Sequence, residues 1–301
     1  MKSAIVVPCS DKYIYALNTL VNGVDYYGNT TEFHILWWGG KNKVSAEFFN
    51  KIASNTSLNF TVKVVCLEDF LQDKEPKPNH VGWHCKFGRW AYCSHLGKEG
   101  YTAICSTGAD VAICNNIMPY IEFAHRSNYV LCGRNIAGGY RFDFSKRTAC
   151  TSGPPYADAP FFIDPQKHET LLAAWYKMGQ RYNMGDLAAF NYAVDEIDYH
   201  DKLVLLPDIL WLRNGRGLSI DNISFIDIRG KKHLVTSSTS QRMNMVHGKW
   251  FNKEVVKKYY PKDRTMPNAN GIIKTLDTLH AFHKFFNSSC KITLPLNEYF
   301  I

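Results

Sequence analysis

Apolar residues fall along this chain in two alternating rhythms. Ser3 to Val7 is a continuous apolar run, closed by Pro8, Cys9, Ser10 and Asp11. A run without polar alternation predicts a parallel strand covered on both faces. From Tyr13 to Val24 the apolar positions move to helical spacing, at Ile14, Leu17, Val21 and Val24, which predicts an amphipathic helix. Gly28 and Asn29 turn the chain into a second strand, Phe33 to Trp38, closed by Gly39 and Gly40. A helix over Val44 to Ala53 and a strand over Phe60 to Cys66 follow. This opening predicts an α/β protein, a mixed and mostly parallel sheet flanked by helices, with a Rossmann-like N-terminal half.

The polar stretch Leu71 to Asn79, with Pro76 and Pro78, predicts a loop. A helix over Trp83 to Leu96 carries Lys86 and Arg89 near its start. Tyr101 to Cys105 predicts a short buried strand, broken by Ser106, Thr107 and Gly108; Asp110 then precedes a new apolar run at Val111. A carboxylate at such a break faces the crevice where open α/β sheets bind ligands, or else serves the turn alone. Further on come a helix over Pro119 to Ala124, a strand over Tyr129 to Cys132, and a long loop from Gly133 to Pro155 bearing Arg134, Arg141, Lys146 and Arg147. Long loops inside a domain are uncommon and are usually functional or disordered. Ala159 to Ile163 predicts a strand, Gln166 to Arg181 an amphipathic helix, and Asp186 the N-cap of a helix over Leu187 to Val194. Strands over Leu203 to Leu206 and Ile223 to Ile228, a short strand at Met245 ending in a polar turn by Trp250, and a helix over Gly271 to Phe286 complete the pattern. No repeat or linker interrupts it, so residues 1–250 are expected to form the main domain and 251–301 a helical extension packed on it.

Composition narrows the picture. The chain has 301 residues, 46% of them hydrophobic, enough for a sizeable core and too apolar for global disorder. The net charge of +8 favours anionic partners, although the lysines are scattered and a scattered charge serves mainly as a solvated surface. The nine cysteines are odd in number, form no CxxC pair and often sit in apolar runs, as Cys66, Cys105 and Cys114 do. They are expected to be reduced, buried thiols, and no zinc spacing is present. The first apolar run is too short for a signal peptide, and no run approaches the roughly 18 residues of a membrane span. A soluble, cytoplasmic protein is the expectation.

The order of these signals resembles the nucleotide-sugar glycosyltransferases of the GT-A fold, especially the glycogenin and bacterial galactosyltransferase group. Asp11 and Tyr13 after the first strand match that family's base-contacting pair. Lys86 and Arg89 match its basic helix, Gly108-Ala109-Asp110 its Asp-x-Asp, Gly185-Asp186-Leu187 its Gly-Asp-Gln helix start, and His247-Gly248-Lys249 its closing His segment. The resemblance covers most of residues 1–250. It departs in two places: Gly108 replaces the first carboxylate, and the spacing from His247 to Lys249 is shortened.

What the resemblance implies is transfer of a sugar from a nucleotide-diphosphate sugar to a hydroxyl acceptor. Asp11, Tyr13, Lys86, Arg89, Asp110 and Lys249 would bind the donor, and Asp158 and Asp186 would act at the sugar. Asp110 and His247 would hold Mn²⁺ or Mg²⁺, a hard cation suited to carboxylate, phosphate and imidazole ligands, which stabilises the leaving diphosphate. Preorganised charge at Lys86, Arg89 and Lys249 is the metal-free alternative. Plainer roles stand beside these: Asp11 and Asp186 as helix caps, Asp158 as a turn residue, Lys86 and Arg89 as solvated helix charges, and His247 as a structural histidine. The acceptor is a glycan or, given the basic loop, a nucleic acid carrying a hydroxylated base. The competing class is a non-catalytic sugar-nucleotide or glycan-binding protein that has lost its Asp-x-Asp chemistry. A nucleotidyltransferase would need a Gly-rich basic loop after the first strand, where only Lys12 stands.

Overall fold

The unalternating N-terminal run is buried as its composition demands, with no exposed surface on Ala4, Ile5, Val6 or Val7. In the computed structural model the described residues are 1–10, 13–38, 43–70, 81–134, 141–143, 148–150, 156–182, 186–207, 211–212, 223–237, 240–247, 278–279 and 281–286. The first half of the chain runs β1 (Ser3–Ser10), α1 (Ile14–Tyr26), β2 (Glu32–Trp38), α2 (Lys43–Ala53), β3 (Val62–Cys66), α3 (Val81–Lys98), β4 (Ala103–Ser106), β5 (Val111–Ile113), α4 (Met118–Arg126) and β6 (Val130–Arg134). The second half runs β7 (Arg141–Asp143), β8 (Thr148–Cys150), β9 (Tyr156–Ile163), α5 (Glu169–Tyr182), α6 (Asp186–Glu196), β10 (Leu203–Leu205), β11 (Trp211–Leu212), β12 (Ile223–Ile228), β13 (Lys231–Thr236) and β14 (Met245–His247).

Seven strands form the main sheet in the order β10-β6-β9-β4-β1-β2-β3. Only β9 runs against its neighbours β4 and β6; the other pairs are parallel. A mixed, mostly parallel sheet flanked by helices is what the periodicity predicts. Each face of the sheet carries a core. One gathers Leu17, Leu20 and Val21 of α1 with Phe49 of α2, Ile121 of α4, and Val111 and Ile113 of β5. The other stacks Trp90 of α3 on Trp175 of α5, and Trp175 on Phe190 of α6, beside Phe161 of β9. Each such side chain, fully buried, contributes roughly 1.5–3 kcal/mol.

Two smaller units extend the first face. β5, β14 and β11 form a short sheet, and α1 lies against β5 backbone to backbone. A Cβ on Gly23 would stand 2.4 Å from the Ile113 carbonyl oxygen, so only glycine allows this approach. The β12–β13 hairpin closes a third cluster, in which Leu234 meets Tyr27, Ala112 and Val246 together with Leu279, Phe282 and Phe286 near the C-terminus. Thr19 of α1 meets His283 Nδ1 at 2.6 Å, and Asn22 donates to the Phe286 carbonyl at 3.0 Å. No described helix is long and apolar enough to cross a membrane.

Several sequence expectations need correction. The strand expected over Tyr101 to Cys105 is shifted, to Ala103–Ser106. The stretch 133–155, expected to be loop, contains the paired strands β7 and β8. β13 was not expected; its lysine-rich start, Lys231 and Lys232, hides a strand that becomes apolar only beyond His233. β9 starts at Tyr156 rather than Ala159, which places Asp158 inside a strand and ends its reading as a turn residue. The expected loop over Leu71 to Asn79, and residues 271–277 of the expected terminal helix, lie outside the described residues.

Candidate active site

Strand ends create the site. β1 pairs with β4 only as far as Val6 and Ser106, and then runs on to Ser10. Past Ser106 the chain turns: Thr107 N–H still donates to the Val6 carbonyl at 3.1 Å, and Val111 N–H donates back to the Gly108 carbonyl at 3.2 Å. Asp110 sits half-buried in that turn. β5 leaves it to pair antiparallel with β14, which sets His247 opposite Val111, one residue from Asp110. Asp110 and His247 therefore share one end of the β5–β14 pair.

At Gly108 the missing Cβ is occupied space. A Cβ there would lie 2.7 Å from Asp110 Oδ1, so the carboxylate leans back over the glycine. A carboxylate and an imidazole position at one strand end fit a hard divalent cation with phosphate and water oxygens completing its shell. No group of three His, Cys, Asp or Glu side chains able to hold a metal occurs among the described residues; the His247 side chain is not among them.

The second part of the site is a buried charge cluster. Arg89 Nη2 donates to Asp158 Oδ2 at 2.8 Å and to Asp186 Oδ2 at 3.1 Å. Relative exposures are 2%, 4% and 6% for Arg89, Asp158 and Asp186, so these are not solvated surface charges. The Arg89 guanidinium also lies over the Trp90 ring, 4.0 Å from its centroid, a favourable cation–π placement.

The sequence places each carboxylate by a different device. Along β9, Phe161 pairs with Cys132 of β6, yet Ala157 already pairs with Gly133. The register shifts between these two pairs, so Asp158, Ala159 and Pro160 form a bulge, and such bulges re-aim side chains near sites. Gly133 makes room: a Cβ there would stand 3.2 Å from the Ala159 carbonyl oxygen and 3.3 Å from Ala157 Cβ. Asp186 begins α6, where the helix dipole favours an anion, and Trp175 Nε1 fixes its backbone by donating to the Asp186 carbonyl at 2.9 Å. Its carboxylate reaches across to Arg89, beyond the plain cap expected for it.

These two parts lie at the same end of the sheet. β9 is antiparallel to β4, and Phe161 pairs with Ser106. Asp158, three residues earlier in β9, therefore lies beyond the end of β4, on the side of the Gly108–Asp110 turn. Among the described residues, buried polar atoms without a hydrogen-bond partner there include Arg89 Nε, Ser106 Oγ and Thr107 Oγ1. Buried polar groups are otherwise nearly always paired. Ser106 and Thr107 entered the sequence reading only as strand breakers; two hydroxyls at the close of an apolar run were the available signal. Tyr13 stands at the N-terminal end of α1, 36% exposed. Lys86 lies in α3, with only its backbone described, and Asp11 and Lys249 lie outside the described residues.

No family model matches the chain, and no curated protein matches its sequence. Solved structures resemble its fold. The galactosyltransferase LgtC, in complex with donor and acceptor sugar analogues, is 12% identical with a TM-score of 0.54, over 97% of this chain and 98% of that one. The bifunctional glycosyltransferase WbbM is 10% identical with a TM-score of 0.55, over 94% of this chain and 51% of that one. GlyE of Streptococcus pneumoniae TIGR4, also a glycosyltransferase, is 14% identical with a TM-score of 0.48, over 69% of this chain and 46% of that one. The chain spans about half the length of WbbM and GlyE. The likeness is one of fold: the chain has a GT-A-like fold, resembling the bacterial galactosyltransferases.

Proposed function

We propose that this protein is a glycosyltransferase that moves a sugar from a nucleotide-diphosphate sugar to a hydroxyl acceptor. The observation that carries the reading is the Arg89–Asp158–Asp186 cluster, set at the strand ends of a GT-A-like sheet. Buried ion pairs add little net stability over well-packed apolar residues, and buried charge partners in a cleft mark functional sites. Asp158 and Asp186 accept hydrogen bonds from sugar hydroxyls, and Arg89 holds both carboxylates in place. Arg89 Nε, buried and unpartnered, is left to donate to the same ligand.

Tyr13 and Asp11, after β1, take the base. The diphosphate lies over the Gly108–Asp110 turn. Asp110 and His247 would hold a Mn²⁺ or Mg²⁺ ion, which would supply positive charge to the leaving diphosphate. Because the Arg89 guanidinium is shared by two carboxylates, a metal-free route falls to Lys86 and Lys249. The acceptor is a glycan hydroxyl, a reading supported by LgtC, which was solved with an acceptor sugar analogue. A nucleic acid carrying a hydroxylated base is the second acceptor class, motivated by the +8 net charge. Gly108 favours one other reading, a sugar-nucleotide-binding protein without catalysis.

The test is a thermal-shift screen of nucleotide-sugars with Mn²⁺ or Mg²⁺, followed by donor hydrolysis and transfer assays. A true donor stabilises the native state by mass action. Stabilisation without hydrolysis or transfer supports the binding-protein reading. No stabilisation by any nucleotide-sugar refutes both. Transfer to hydroxymethylated DNA rather than to oligosaccharides would overturn the glycan acceptor.

A further inference from the structure

We propose that a side-chain cluster centred on Glu32 is an acid-sensitive clasp, which holds the β2–β3 edge of the main sheet to the start of β4 and lets that edge open as pH falls. The cluster lies where β2 and β4 begin, at the opposite end of the sheet from the candidate active site, and the inference does not depend on the proposed function. Glu32 and His34 are two residues apart in β2 and point to one side of it. There Glu32 Oε2 accepts from Lys63 Nζ of β3 at 2.7 Å, from His34 Nε2 at 2.9 Å, and from the hydroxyl of Tyr101, just before β4. Lys63 Nζ also donates to the Tyr101 hydroxyl at 3.1 Å. In the sheet β1 lies between β4 and β2, so these bonds reach over it. Lys2, at the start of β1, stands 4.2 Å from the Tyr101 ring centroid and donates to the Glu99 carbonyl at 2.9 Å.

The partners fix the protons. A carboxylate only accepts, so His34 Nε2 carries a proton; the Tyr92 hydroxyl of α3, 2.8 Å from Nδ1, supplies a donor to the other nitrogen. His34 is therefore neutral, and a second proton would turn its Nδ1 acceptor into a donor and break the match. The charged groups facing His34 are Glu32, Lys63 and Lys2, and the other titratable ones are Tyr92 and Tyr101; Glu99 and Cys93 face Tyr92. Burial holds the His34 pKa below 6.5, although Glu32 pulls it up. Burial pulls the Glu32 pKa up, but its bonds to Lys63, Tyr101 and His34 outweigh this and hold it at about 2 against the usual 4.5. Both shifts have one sign: the stability they supply is present above pH 6.5 for His34 and above pH 4.5 for Glu32, and is lost as pH falls. Lys63 and Tyr101 have raised pKa values, so their share is lost only on the alkaline side. The part released first is β3. It is an edge strand, and of its five residues only Val62 is buried, so few contacts besides its ladder with β2 and the Lys63–Glu32 pair hold it.

Hydrogen–deuterium exchange of the full chain, read by mass spectrometry at pH 7, 6 and 5, tests the clasp. Dividing each rate by that of the unfolded chain at the same pH gives a protection factor free of the intrinsic pH dependence. Protection of β2 and β3 should fall about tenfold more than that of β6 and β9 between pH 7 and pH 5, since each proton taken up on opening is worth up to about tenfold per pH unit. A fall shared by all four strands belongs to global stability, to which the buried His168 contributes, and cancels in the comparison. His34→Gln still donates and accepts but takes up no proton, so it should flatten the extra fall. Glu32→Gln keeps an acceptor without the charge, and should lower β2 and β3 protection already at pH 7. Equal falls in all four strands, an extra fall as steep in His34→Gln as in the parent, or full β2 and β3 protection in Glu32→Gln at pH 7 would each overturn the inference.

Discussion

Replacing Arg89 by Met tests whether the buried cluster is held together by charge. Arg89 is 2% exposed, and its Nη2 is within hydrogen-bond distance of both Asp158 and Asp186. Met keeps much of the volume and the contact with Trp90, but removes the cation that the two carboxylates share. Breaking a buried pair by deleting one partner costs about 3–5 kcal/mol, and here one deletion exposes two anions to each other. Asp158→Asn or Asp186→Asn leaves Arg89 one carboxylate, so each should cost less, about 1–2 kcal/mol, the scale of a weakened buried hydrogen bond. The triple variant Arg89→Met, Asp158→Asn, Asp186→Asn carries none of these charges. It should be more stable than the sum of the single changes predicts, because contacting residues are not additive. Urea unfolding of all five proteins gives the comparison. Arg89→Met within about 1 kcal/mol of the parent, or additivity in the triple variant, would refute the electrostatic account.

Three further changes follow from the same geometry. Gly23→Ala forces a Cβ into the Ile113 carbonyl oxygen, 2.4 Å away, so α1 must lift from β5 at a cost of about 1–3 kcal/mol; a melting temperature equal to the parent's would contradict the backbone contact. Gly133→Val crowds Ala157 and Ala159 at about the same cost and should weaken nucleotide-sugar binding by moving Asp158, which calorimetry can follow against a folded control. His168 is buried, with Tyr199 at 2.7 Å from its Nδ1, and burial pushes its pKa down from 6.5 to about 4. The unfolded chain thus takes up a proton below about pH 6.5 that the native state refuses until about pH 4, so this contribution to stability is present above pH 6.5 and is lost as pH falls. Between pH 7 and pH 5 the parent should lose about 2 kcal/mol more than His168→Gln; parallel pH profiles would show that the histidine is not held neutral.

The elements legible in the sequence were those whose burial is repetitive. β1 and α1 announce themselves because every residue of Ala4 to Val7 and the whole inner stripe Ile14, Leu17 and Val21 are buried. The mixed, mostly parallel sheet followed from that pattern and the parallel rule, while its strand order and the reversal of β9 did not, since a strand's place and direction leave no mark on its own composition. The candidate residues were legible as residue types at element ends and near a helix start: Asp110, Asp158, Asp186 and Arg89 were all singled out. Their association was not. Arg89 is 69 positions from Asp158 and 97 from Asp186, and no local pattern distinguishes a helix arginine that meets two carboxylates from one that meets water. The bulge that turns Asp158 inward depends on Gly133, whose only trace in the sequence is one glycine before a long polar stretch.

The two parts of the candidate site are built on different cores, and under the proposed function this lets one sheet end serve unlike chemistries. Val111 and Met245, which flank Asp110 and His247, belong to the core of α1, α2 and α4. Trp90, Phe161 and Phe190, which neighbour Arg89, Asp158 and Asp186, belong to the opposite core of α3, α5 and α6. On the first side the controlling features are missing side chains: Gly23 lets α1 touch β5, and Gly108 lets a carboxylate fold back over its own turn. On the second side the controlling features are large ones, a Trp90–Trp175–Phe190 stack that excludes water around three charges. Low polarity strengthens an ion pair and raises the cost of leaving one unmatched, so the second side favours fixed carboxylates that meet hydroxyl groups. The first side, at a half-buried turn, would suit the proposed ion and diphosphate, which must arrive and leave. A sugar bridging the two would have its hydroxyls read by the rigid wall and its leaving group held by the adjustable one.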